Sequence, residues 1–191
     1  MLKIQYAQNI AGTDEAGRGC LAGPVTAAAV IFPKYLNLPE LNDSKKLTEK
    51  QRYYLRPKIE KLAVSFAVTH VFQEEIDEIN ILNASIKAMQ LALKKLSVQP
   101  SFILIDGNHF KPYNDIPYEC VIKGDEKYQN IAAASILAKT YRDEFMINLD
   151  LKFPKYSWKK NKGYPTKEHR EAIKNHGVTC HHRKSFQLLP N

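Results

Sequence analysis

The chain has 191 residues, 44% of them apolar, and a formal net charge of +8, enough to bury one full core with an appendage. It contains no run of about 18 apolar residues, and residues 1–10 lack the apolar centre of a signal peptide, so a soluble, cytoplasmic protein is expected and no membrane partner. Cys20, Cys120 and Cys180 are odd in number and lie outside any C-x-x-C pair, which speaks against a disulfide framework or a zinc finger; Cys180-His181-His182 has no second ligand pair to complete a zinc site.

In chain order, residues 10–15, 25–32 and 62–72 read as three strands, rich in apolar and β-branched residues, and suggest an antiparallel meander. Thr48-Glu49-Lys50-Gln51 carries the polar spacing of a capping box and opens a charged helical stretch to about residue 61, which Pro57 is expected to interrupt. Residues 74–79 and 84–96 read as helix, with Ile86, Met89, Ala92 or Leu93, and Leu96 on one face. Residues 102–106 and 118–122 are short strands ending near Gly107 and Gly124. Ile131, Ala134, Leu137 or Ala138, Tyr141 and Phe145 recur at helical spacing and predict a long helix over 127–149. Beyond Pro154 come a Lys-rich stretch, a short helix opened by Thr166, and an irregular tail. Strands first and alternating elements later predict an α/β fold, a mixed sheet flanked by helices. The division expected is a catalytic domain over 1–151 and a C-terminal segment over 152–191.

The charge is unevenly placed. Basic and acidic residues balance over 1–151, whereas 152–191 holds 10 basic and two acidic residues and carries the whole excess. Phe153, Tyr156, Trp158, Tyr164 and Phe186 interleave those charges, the mix expected of a surface that follows phosphates and stacks on sugars or bases.

Asp14 and Glu15 end the first strand beside Gly17-Arg18-Gly19. Paired carboxylates suit a hard divalent ion, and glycine amides with an arginine suit a phosphate; a solvated turn accounts for the same residues without function. The loose dinucleotide pattern Gly17-x-Gly19-x-x-Ala22 fails for want of a helix after it, since a strand follows Pro24. Successive strand residues face opposite ways, so the strand is expected to end or bulge if Asp14 and Glu15 serve one site. Asp106 repeats the pattern of a strand delivering an acid to a sheet end. Asp125 fits an N-cap of the long helix, and Asp143 an exposed helix carboxylate paired with Lys139. Glu74-Glu75-Asp77-Glu78 reads as a solvated helix face.

Taken together, Asp14-Glu15-Ala16-Gly17-Arg18-Gly19, Leu21-Ala22-Gly23-Pro24-Val25, Asp43-Ser44-Lys45-Lys46-Leu47, Asp106-Gly107-Asn108 and Lys123-Gly124-Asp125 resemble the signature of the ribonuclease HII family. The match continues through Ala132-Ala133-Ala134-Ser135, Arg142-Asp143, Gly163-Tyr164-Pro165-Thr166 and His182-Arg183-Lys184-Ser185-Phe186, and so spans nearly the whole chain. Cys20 departs from the family's usual proline, and the end of the sequence shortly after Phe186 argues against a tail that binds a sliding clamp. The resemblance implies a ribonuclease H-like mixed sheet flanked by helices, with a small helical C-terminal part. It implies a monomeric endonuclease that hydrolyses RNA in RNA-DNA hybrids and cuts on the 5′ side of ribonucleotides embedded in duplex DNA, with roles in ribonucleotide removal and primer removal. Carried over by motif, Asp14, Glu15, Asp106 and Asp125 are the catalytic acids and hold two Mg²⁺ or Mn²⁺ ions, with Asp143 a possible addition. Gly17, Arg18 and Gly19 read the ribose 2′-OH, Lys45 and Lys46 hold flanking phosphates, and Tyr164 senses the RNA-to-DNA junction. A non-catalytic hybrid-binding module is the contrasting reading, and metal-dependent turnover separates the two.

Overall fold

In a computed structural model, which describes residues 2, 3 and 8–190, five strands form one mixed sheet in the order β3-β2-β1-β4-β5. β1 (Ile10–Ala16), β2 (Val25–Ile31) and β3 (Ser65–Val71) are antiparallel neighbours, while β4 (Phe102–Asp106) runs parallel to both β1 and β5 (Tyr118–Val121). The expected meander is therefore present, with α1 (Glu49–Leu62) inserted between β2 and β3. β2 is buried on both faces. Its central Ala27-Ala28-Ala29 lets helices approach closely from either side: Ala27 and Ala29 join the core under α2 (Gln73–Lys94), and Ala28 the core under α3 (Gln129–Asp150). At Gly12 the approach of β1 to α3 is tighter still. A Cβ there would lie 2.4 Å from the backbone of Asn130.

One expectation about helices needs correction, and another is met. α1 runs unbroken through Pro57, capped by Thr48 and Gln51 in a reciprocal capping box. Pro57 lies on the exposed face, where solvent can serve the carbonyl that loses its N–H partner. The acidic stretch and the apolar helix after it join as α2 but break at Asn80, whose φ of 65° is left-handed and whose Oδ1 accepts from the amides of Leu82 and Asn83. Asn80 thus caps the second half.

The C-terminal part has a core of its own, built from Leu21, Ala22, Met146, Tyr156, Trp158 and Ile173. It comprises a 3₁₀ turn (Pro154–Tyr156), α4 (Trp158–Asn161), α5 (Lys167–His176), capped by Thr166, and a tail that returns to the loop after β1. Ala22 bridges His182, and the amides of Gly23 and Arg183 bond the carbonyls of His181 and Leu21. The interleaved aromatics are accordingly not a stacking surface: Tyr156 and Trp158 are buried, and Phe153 and Phe186 pack on this core. Of the five, Tyr164 alone is exposed. Among the described residues no helix is long and apolar enough to cross a membrane.

Candidate active site

The acids gather where the sheet ends. β1 pairs regularly with β2 through Asp14, Glu15 and Ala16, so the anticipated bulge is absent. The sheet edge resolves the problem of facing instead. β4 stops at Asp106, one residue beyond its Ile105–Thr13 pair, which sets Asp106 level with Asp14. Alternation then sends Asp14 toward α3, where Ser135 hydrogen-bonds it, and Glu15 toward the α2 side, beside Leu82 and Ser85. Beyond the last residue of β4 both reach one cleft of about 310 Å³, which Asp14, Glu15 and Asp106 line together.

Asp125 arrives by a different route. It is not the N-cap of α3, which is Tyr128; it lies in a 3₁₀ turn (Gly124–Glu126) and is 3% exposed. Lys123 precedes this turn in the left-handed region, and the Gly124 amide donates to Asp106 Oδ1 at 2.7 Å, tying the turn to the end of β4. Gly124 must be small there, because a Cβ would lie 2.5 Å from Ile131.

The electrostatics match this convergence. Burial, then the charges of Glu15 and Asp106, hold the Asp14 carboxyl well above the ordinary range. Burial also raises Glu15 against the pull of Arg18, whose guanidinium lies 3.3 Å from Oε1. Asp125 is pushed up to about 6 by burial, then by Asp106 and Asp43. Its Oδ2 is buried without a hydrogen-bond partner, with Lys45 Nζ 3.8 Å away. Burial disfavours the Lys45 charge, yet Asp125, Asp14, Asp43 and Asp106 together raise its pKa.

The oxygen-only donor set, the orphaned oxygen and the uncompensated acidity fit a hard divalent cation. Among the described residues no three ligand-type side chains converge tightly enough to cage an ion unaided. Such an ion would complete its shell with water and substrate oxygens, the usual manner of Mg²⁺.

The far wall of the cleft is the loop Gly17–Gly19, with Tyr164 and Lys139. Two buried arginines back this loop and the chain that follows it. Arg142 donates to the carbonyls of Pro24, Lys162 and Ala22, and Arg183 to those of Gly23 and Arg18. Gly17 has φ 94°, and a Cβ would strike the Arg142 side chain at 2.0 Å, so only glycine fits.

Other predicted residues lie off the cleft lining, Asp125 among them, although Asp106 and Asp43 are its charged neighbours. Lys46 pairs with Glu126 at 3.3 Å and is not part of the cleft lining. Asp143 bonds Lys139 at 2.5 Å as expected, but it is 2% exposed rather than on a solvated face, and it too lies off the lining. Ser44, Arg52, Ser135 and Lys139 line the cleft without having been singled out. Ser44 and Ser135 bond each other at 2.8 Å across 91 residues, a pairing no local spacing could signal.

The fold and the acid-lined sheet end define a ribonuclease H-type hydrolase. The family model for ribonuclease HII matches residues 11–189, and the chain belongs to the ribonuclease HII family. It is 65% identical over 182 residues to ribonuclease HII of Christiangramia forsetii, covering 95% of this chain and 92% of that one. With the Bacteroides thetaiotaomicron ribonuclease HII it shares 64% identity, covering 94% and 90%. Among solved structures it superposes on ribonuclease H2 of Pyrococcus horikoshii with a TM-score of 0.77 at 28% identity, covering 94% of each chain. RNase HII of Archaeoglobus fulgidus, solved in complex with PCNA, gives 0.77 at 27% identity, covering 95% and 96%.

Proposed function

We propose that this ribonuclease cuts the RNA strand of RNA-DNA hybrids and nicks duplex DNA on the 5′ side of an embedded ribonucleotide, leaving 5′-phosphate and 3′-OH ends. The observation that carries this reading is the convergence of Asp14, Glu15 and Asp106 on one cleft facing a glycine loop, with Asp125 beside Asp106, and the raised pKa of Asp14, Glu15 and Asp125 that burial and neighbouring carboxylates impose. Asp14, Glu15, Asp106 and Asp125 would hold two divalent ions, Mg²⁺ or Mn²⁺. Bound there, the ions supply activation of water and stabilisation of the leaving 3′-oxygen.

The chain's own groups do the rest. Ser135 and the Glu15 amide, 2.7 Å from Asp14 Oδ1, orient the Asp14 carboxylate, and the Gly124 amide orients Asp106. The Gly17–Gly19 backbone, bonded by Arg183 at the Arg18 carbonyl and backed by the Arg142 side chain at Gly17, can approach a ribose closely enough to bond its 2′-OH, the group that separates RNA from DNA. Arg18 and Lys45 face the cleft as cations for phosphate. Tyr164 presents its ring at the same wall, where it can pack on the deoxyribose that follows the ribonucleotide. A role in clearing ribonucleotides and primers from DNA follows from this specificity.

The test is incubation of a labelled duplex containing one ribonucleotide with Mg²⁺, with Mn²⁺ and with chelator. A metal-dependent nick 5′ of the ribonucleotide supports the reading. Tight binding without a nick would reduce the protein to a hybrid-binding module.

A further inference from the structure

Tyr164 sits in a four-residue turn, Gly163–Thr166. Gly163 has φ 82° and abuts the Ala22 carbonyl, and the Tyr164 carbonyl accepts from the Thr166 amide at 2.8 Å. The same carbonyl also meets His169 Nδ1 at 3.0 Å. Behind His169 lies a buried polar chain. Trp158 Nε1 is 2.9 Å from His169 Nε2, His182 Nε2 is 3.3 Å from the same nitrogen, and His182 Nδ1 lies 2.9 Å from the Thr179 amide. Trp158 and His169 are 0% exposed and His182 1%.

The direction of this chain is fixed by its ends. An indole N–H and a backbone N–H can only donate. Thr179 therefore makes His182 Nδ1 an acceptor and leaves the proton on His182 Nε2, aimed at His169. Trp158 makes His169 Nε2 an acceptor and leaves the proton on His169 Nδ1, aimed at the Tyr164 carbonyl. Neither ring can take a second proton without setting donor against donor, and burial lowers the pKa of both, His182 to about 4.

We infer that His169 and His182 are positioning residues for substrate discrimination: a one-way hydrogen-bond relay, running from Thr179 through His182 and His169, that fixes the Tyr164 carbonyl and so the angle at which the Tyr164 ring meets the sugar. The relay ends on Tyr164, the one residue of the C-terminal part that lines the cleft among the described residues. At its tip the Tyr164 hydroxyl meets the Cys20 thiol, and Lys139 Nζ and Arg142 Cζ lie 5.5 Å and 5.7 Å from the ring centroid. This inference rests on the junction-sensing role given to Tyr164 above.

Two experiments test it. Imidazole ¹⁵N–¹H correlation spectra of the unsubstituted chain should show the proton of His169 on Nδ1 and that of His182 on Nε2; the opposite tautomer on either ring overturns the relay, and this needs no variant to fold. The second readout is the ratio of cleavage at a single embedded ribonucleotide to cleavage within an all-RNA hybrid, which a general loss of folded protein leaves unchanged. His169→Ala should lower that ratio on the order of tenfold, in the direction of Tyr164→Ala. His169→Asn, whose amide can still donate to the Tyr164 carbonyl, should restore most of it. A ratio moved by Tyr164→Ala but not by His169→Ala overturns the relay and leaves the proposed function standing. A ratio that Tyr164→Ala itself does not move overturns the junction-sensing role and this inference with it.

Discussion

Asp14 is the residue on which the site turns. It is buried at the end of β1, level with Asp106 and bonded by Ser135, and its acidity reports carboxylates crowded without a counter-cation. Asp14→Asn is expected to lower cleavage on the order of a thousandfold while hybrid binding, which other residues carry, stays within a few-fold of native; filter binding beside a cleavage assay checks both. Asp125 makes the acidity a stability statement. Its pKa is about 6 in the fold against 3.8 for a free aspartate, so the folded chain holds more protons between those values. Its favourable contribution is present below about 3.8 and lost as pH rises through about 6. Asp125→Asn should therefore raise the melting temperature of the metal-free protein at pH 7.5, by up to about 3 kcal/mol in stability. Saturating Mg²⁺ should narrow that gap, because the ion binds the native acid and not the amide. Gly17→Ala should cost activity and about 1–3 kcal/mol, since it forces a side chain into φ 94° against Arg142; thermal unfolding measures the second. The pairing of Asp14 with Glu15 and the strand-ending Asp106 were legible in sequence, because a strand followed by glycine is a local pattern. Ser44, Ser135 and Arg52 were not, because each reaches the cleft only through contacts between distant segments.

At the scale of elements, the legible features were those with a period. β1, β2, β4 and α3 lie where alternation and helical spacing put them, and the Thr48 capping box and Thr166 cap start their helices as read. Pro57 misled because the rule against interior proline assumes a carbonyl cut off from water, and its face of α1 is open. Asp125 misled because a 3₁₀ turn intervenes between β5 and α3, a tertiary arrangement that Gly124 permits by its close approach to Ile131. In the C-terminal part, aromatic residues among lysines looked like a nucleic-acid surface and are instead the core that makes α4 and α5 stable. That core is acid-sensitive. The His182 pKa is about 4 in the fold against 6.5 unfolded, by burial first and then by His169, so its contribution is complete above pH 6.5 and lost as pH falls through 4. Unfolding followed by the fluorescence of Trp158, the sole tryptophan, should show stability falling by on the order of 2–3 kcal/mol across that window, and His182→Gln should flatten the dependence.

For the whole molecule, the charge asymmetry read from sequence acquires a position. The 10 basic residues beyond residue 151 include Arg183, 0% exposed, Arg170, which bonds the carbonyls of Gln187 and Leu188, and Lys162, whose Nζ is turned toward Glu49. Lys159, Lys160 and Lys167 are exposed and lie within five residues of Tyr164 along the chain. Replacing these three with Ala should weaken hybrid binding and reduce the slope of log affinity against log salt by about two to three, one unit per lost phosphate contact. Removing the whole segment would be a poor test, since it would also strip Arg183 and the His181 carbonyl from the loop after β1. The fold thus serves the chemistry as one unit: a sheet end supplies the acids, and the basic C-terminal part pins the loop opposite them. The most direct measurement is single-turnover cleavage of a duplex bearing one ribonucleotide, by the native chain and by Asp14→Asn, in Mg²⁺, in Mn²⁺ and in chelator. The account predicts a nick 5′ of the ribonucleotide, with 5′-phosphate and 3′-OH ends, by the native chain with metal alone. Cleavage that persists in chelator or in Asp14→Asn, or a product ending in a 2′,3′-cyclic phosphate, would contradict it.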